Sequence, residues 1–166
     1  MRLVLIFTLL PLLLAAQFDP STADDQPSAT AVMIPNGITL DGKLDEPEWR
    51  PSAPATSFWE TFPSDTAQVR DQTEIYFGFD DKNLYVAAKC YVQGKDFVIS
   101  SLRRDYRAGG NDNLTLLFNP FKDKTNAIVF GMNPLGVTRE ALIYNGGENS
   151  GDFREEWDNK WRGESY

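Results

Sequence analysis

Residues 74–92 read EIYFGFDDKNLYVAAKCYV, and their period-two alternation decides the fold class. Ile75, Phe77 and Phe79 fall on one side of an extended chain, with Glu74, Tyr76 and Gly78 on the other, because successive strand side chains point to opposite faces. Asp80-Asp81-Lys82-Asn83 has the composition of a turn. Leu84, Val86, Ala88, Cys90 and Val92 then alternate with Tyr85, Lys89 and Tyr91, so the stretch predicts a β-hairpin. Cys90 falls on the apolar side, which predicts a packed thiol. The chain has no histidine to serve as a base and activate it.

The same rhythm recurs further along. Leu114, Leu116 and Phe118 alternate up to Asn119-Pro120; Ile128, Phe130 and Met132 alternate up to Asn133-Pro134-Leu135-Gly136; Val137 to Ile143 leaves that turn. Proline second and glycine fourth fit a type I turn. Short strands at close spacing, with no amphipathic helix, predict an all-β fold, an antiparallel β-sandwich of immunoglobulin-like or jelly-roll-like kind. The single helical candidate is one turn at Asp45-Glu46-Pro47-Glu48-Trp49, where Asp45 is placed to cap and Pro47 is tolerated in a first turn. Trp49 offers a large ring to close one end of a core.

Ahead of the strands, Met1-Arg2 supplies a positive charge, Leu3 to Leu14 is apolar apart from Thr8 and Pro11, and Ala15-Ala16-Gln17 follows. This is the pattern of a signal peptide, residues 1–16, cut after Ala16. The run is shorter than the roughly 20 apolar residues a membrane span needs. Residues 17–30 are polar, small and proline-bearing, and read as a flexible linker; residues 31–166 form the folded domain. Export to the periplasm, outer membrane or extracellular medium follows.

Composition closes several routes to function. The absence of histidine removes Ser/His/Asp and Cys/His catalysis and every His-bearing zinc site, and one cysteine removes disulfide frameworks and Cys₄ metal sites. With 24 acidic against 16 basic residues the net charge is −8, so nucleic acid is excluded as a partner. The 13% aromatic content leaves ring stacking open as a mode of binding.

Ile38-Thr39-Leu40-Asp41-Gly42-Lys43-Leu44-Asp45-Glu46-Pro47-Glu48-Trp49 resembles the opening signature of carbohydrate-binding module family 9 and its relatives, a β-sandwich group. The Asp80 to Val86 segment, Asn111-Asp112 leading a strand, and Phe130-x-x-Asn133-Pro134-x-Gly136 with Trp157-Asp158-x-x-Trp161 follow in order. The later motifs are similar to the subgroup that precedes a C-terminal β-barrel-like domain of unknown function in exported bacterial proteins. The resemblance covers residues 34–166. It implies a non-catalytic glycan-binding module, linked to polysaccharide catabolism, with any glycoside hydrolase activity belonging to a larger parent protein. The alternative, of a different class, is a structural or interaction N-terminal domain of an outer-membrane-like protein without sugar affinity.

A glycan site needs a ring for the C–H face of a sugar and polar groups for its hydroxyls. The loop carrying Arg104, Asp105, Tyr106, Asn111 and Asp112 has those groups, and Trp59, Trp157 and Trp161 are the candidate rings. Gly109 stands where the founding sugar-binding members carry a tryptophan. Calcium is the one ion the resemblance implies; the acidic turns, among them Asp41, Asp45, Asp80, Asp112 and Asp123, lack EF-hand spacing. The resembling modules continue with further strands beyond Trp161, so the chain is expected to be C-terminally truncated, continuing covalently into a further domain in the full-length protein.

Overall fold

The structure, a computed structural model, describes residues 28–63, 65–94 and 97–166. The expected signal peptide and all but the last three residues of the expected linker lie outside the described residues. The fold is all-β, with two sheets and three single-turn 3-10 segments among the described residues.

The first sheet runs β1 (Ala31–Met33), β2 (Thr73–Phe79), β3 (Leu84–Cys90). β2 and β3 form the expected hairpin, in register from Thr73↔Cys90 to Phe79↔Leu84. β1 lies parallel to β2, with Ala31 beside Phe77, a departure from the purely antiparallel expectation. The long connection between the two strands permits it, since parallel neighbours need a crossover where antiparallel ones need only a turn. Ala55 covers the same edge of β2 further down, exchanging two hydrogen bonds with Ile75 at 2.8 and 3.0 Å.

One face of this sheet is sealed by Ile34 and Trp49, both buried. The Trp49 ring meets Tyr76 edge-on at 6.4 Å, an arrangement favoured by the aromatic quadrupoles. Both side chains close over Gly78, which has no Cβ to hold them off. Trp49 ends a 3-10 turn (Pro47–Trp49) whose cap position is Glu46, not the expected Asp45, and no side chain caps it. Glu46 instead accepts the Thr39 amide at 2.9 Å, tying the preceding loop to the turn. Cys90 is a further correction. It sits at the open end of β3, opposite Thr73, and is exposed.

The second sheet runs β4 (Leu114–Phe118), β5 (Ala127–Met132), β6 (Thr138–Ile143), β7 (Phe153–Arg154), all antiparallel. The β5–β6 turn is closed by the Gly136 amide donating to the Asn133 carbonyl at 3.0 Å. The buried Asn133 side-chain carbonyl accepts the amides of Leu135 and Val137, each at 3.0 Å. Pairing of Leu116 with Phe130 and of Phe130 with Glu140 puts Leu114, Leu116, Phe118, Ile128, Phe130, Met132 and Glu140 on one face. Val129, Gly131, Ala141 and Arg139 share the other.

Gly78→Ala is expected to destabilise the domain by about 1–3 kcal/mol, because the added methyl collides with Ile34 and meets Trp49 at 3.3 Å. Urea denaturation checks this; an unchanged midpoint contradicts the packing described.

Candidate functional site

Arg139 and Glu140 are adjacent, charged and buried in the middle of β6. Adjacent strand residues face opposite ways, so each must be compensated on its own side of the sheet. The loop that carries Arg104 to Arg107 compensates both.

Asp105 fastens this loop to the β6 edge. Its amide donates to the Thr138 carbonyl at 3.0 Å, and its carboxylate accepts the Glu140 amide at 3.2 Å. Its φ of 58° breaks the extended course there. Arg104 consequently reaches Glu140 on one face while Tyr106 packs beside Arg139 on the other. The Arg104 guanidinium pairs with Glu140 Oε1 and, at 2.9 Å, with Asp158. Glu140 Oε2 accepts the Asn159 amide at 3.1 Å. This buried carboxylate therefore clamps the C-terminal segment against the second sheet. The segment also packs by its rings, with Trp157 at 6.2 Å and Trp161 at 5.1 Å from Phe130, the cross-strand neighbour of Glu140.

On the opposite face the Arg139 stem crosses Gly131, where a Cβ would stand 2.7 Å from its Cγ. Its guanidinium lies 5.6 Å from the Phe153 ring centre and 6.0 Å from that of Tyr106. Cation–π attraction thus takes the place of a counter-ion, since no carboxylate pairs with Arg139 among the described residues. Tyr106 is only 3% exposed, and burial pushes its hydroxyl pKa up.

The clamped segment forms one wall of a cleft of about 910 Å³ between β3 and β4–β5. The floor is apolar, made by Val86 from one sheet and Leu116, Phe118, Phe130 and Met132 from the other, with half-buried Trp161 beside it and exposed Leu84 at the edge. The rim is polar: Lys82, Asn83, Asn159, Lys160, Arg162 and Glu164. Asp80 fixes the side of the rim that carries Lys82 and Asn83. Its carboxylate accepts from the Tyr85 hydroxyl at 2.5 Å, the Asn83 side chain at 3.0 Å and the Lys82 amide at 2.7 Å, which holds it well below the usual carboxylate range. The same bond to Asp80 raises the pKa of Tyr85.

The structure therefore separates the expected site residues. Arg104, Asp105, Trp157 and Trp161 join one network around Glu140 and Phe130. Tyr106 is interior, with no open ring face. Asn111 and Asp112 staple their own loop: Asn111 accepts from the Ser100 amide at 2.7 Å, and Asp112 accepts from the Val98 amide at 2.8 Å. Trp59 is 58% exposed, paired with Gln68 in a separate bridge, and no contact joins it to the others among the described residues. Sequence reasoning missed Glu140, Arg139 and the rim cations. The signal was present: a charged pair inside the otherwise uncharged strand run Val137 to Ile143 requires partners if the strand is buried.

No group of three metal-ligating side chains is gathered among the described residues. Asp41, Asp80 and Asp123 cap backbone amides at their turns, Asp123 those of Thr125 and Asn126, each at 3.0 Å. Compared with family models, curated proteins and solved structures, the chain matches none.

Bonds from Asn126 and Thr125 lower the Asp123 pKa from 3.8 to about 2. A depressed folded-state value means the turn gains stability above pH 3.8 and loses it as pH falls toward 2. A carboxyl NMR titration is expected to place the Asp123 midpoint near 2; a midpoint near 4 contradicts the capping geometry.

Proposed function

We propose that this chain is a non-catalytic carbohydrate-binding module of an exported bacterial protein, closing as a sandwich around the cleft between its sheets. The observation that carries the reading is the cleft itself, which sets an aromatic and aliphatic floor inside a ring of amide and charged side chains. A saccharide offers the complementary surface, with C–H faces that stack on a ring and hydroxyls that bond at the edge. Trp161, one of the rings expected from sequence, supplies the stacking face, while Trp59, Tyr106 and Trp157 do not line the cleft. Asn83 and Asn159 supply amides that both donate and accept.

The non-catalytic part rests on the same lining. Glycoside hydrolysis uses two carboxyl groups flanking the scissile bond. Glu164 is the one carboxylate lining the cleft among the described residues.

A second reading, an interaction domain without sugar affinity, draws on the free outer edges of β3 and β4, which have no paired strand among the described residues. Such edges accept an added strand.

Titration calorimetry against a panel of plant and bacterial oligosaccharides, with and without calcium, separates the two. Saturable binding weakened at least tenfold by Trp161→Ala, with Trp59→Ala unchanged, is the expected result. Flat responses across the panel overturn the module reading.

A further inference from the structure

The cleft carries a charge opposite to that of the chain around it. The chain has a net charge of −8, yet the cleft lining brings together Lys82, Lys160 and Arg162 against Glu164 alone. The three cations come from two separate places: Lys82 from the β2–β3 turn, and Lys160 and Arg162 from the C-terminal segment. None of the three makes an ion pair among the described residues, whereas Arg70, Arg104 and Lys43 elsewhere do. Acidic partners are plentiful in this chain, so a local excess of unpaired cations around an apolar floor is not what composition alone would give.

Both carriers are held. Lys82 is fixed through its amide on Asp80 at 2.7 Å, and the Lys160–Arg162 stretch is fixed through the Asn159 amide on Glu140 and the Trp161 ring on Phe130. The backbone positions that present the cations are therefore set before any ligand arrives. Preorganisation of this kind reduces the ordering cost of binding.

Resting on the glycan reading above, we infer that the cleft takes an anionic saccharide, one whose sugar carries carboxylate or sulfate groups, with Lys82, Lys160 and Arg162 receiving the anions and Trp161 receiving the ring face. Arginine matches a planar carboxylate with two parallel N–H donors, and lysine serves as a point charge for either group.

The test uses the full chain and three probes of matched length: an oligogalacturonate, the same oligomer with its carboxylates methyl-esterified, and a sulfated oligosaccharide. The expected result is binding of a charged probe at least tenfold tighter than the ester, weakening as salt is raised. Arg162→Gln and Lys160→Gln are each expected to lower affinity for the charged probe about five- to tenfold, and affinity for the ester by a clearly smaller factor; an equal loss for acid and ester overturns the inference. Tighter binding of the sulfated probe than the carboxylated one supports the inference and identifies the anion as sulfate. Equal affinity for acid and ester overturns the inference while leaving the glycan reading intact. Failure of all three, together with neutral oligosaccharides, overturns both.

Discussion

The arrangement depends on one buried carboxylate. Glu140 is 1% exposed in the middle of a strand, a position where an uncompensated charge would cost several kcal/mol. It is compensated by groups from two distant parts of the chain, the Arg104 guanidinium and the Asn159 amide. Satisfying Glu140 therefore brings the loop before β4 and the segment after β7 to the same face of the second sheet. Apolar packing alone would tolerate several placements of a segment without regular secondary structure. A carboxylate that faces a guanidinium on one oxygen and accepts a backbone amide on the other is more selective. The rings of Trp157 and Trp161 then add contact area against Phe130, with aromatic pairs worth about 0.5–1.5 kcal/mol each beyond burial.

Arg139 shows the same logic on the reverse face. It has no carboxylate among the described residues, but its stem crosses the bare backbone of Gly131 and its guanidinium rests between Tyr106 and Phe153. One strand thus carries two charges, each resolved by a different chemistry. Asp105, bonded to the β6 edge and turned by its positive φ, allows a single loop to serve both faces.

Much of the scaffold was legible in the sequence. The alternation over 74–92 and 114–143 placed five strands and their turns, because period-two burial is a local property of each strand. The parallel placement of β1 was not legible, since it depends on where a distant three-residue stretch finds an open edge. Cys90 was misplaced for a related reason: alternation gives the side of a strand, not whether that end of the strand is covered. Tyr106, Asn111 and Asp112 had the composition of a binding loop, but their hydrogen bonds and burial turn inward. The cleft was the least legible feature of all. It arises from residues near 40, 84, 116, 130 and 161, which come together only after both sheets and the terminal segment are in place.

If Glu140 sets the wall of the cleft, the bond from the Asn159 amide is the place to measure it. Hydrogen exchange at Asn159, compared between the native chain and Glu140→Met, tests the claim most directly. The replacement preserves side-chain volume and removes the acceptor. The account predicts that exchange at Asn159 accelerates at least tenfold while the Phe130 amide in β5 keeps its protection. Unchanged protection at Asn159, with the second sheet intact, would contradict it.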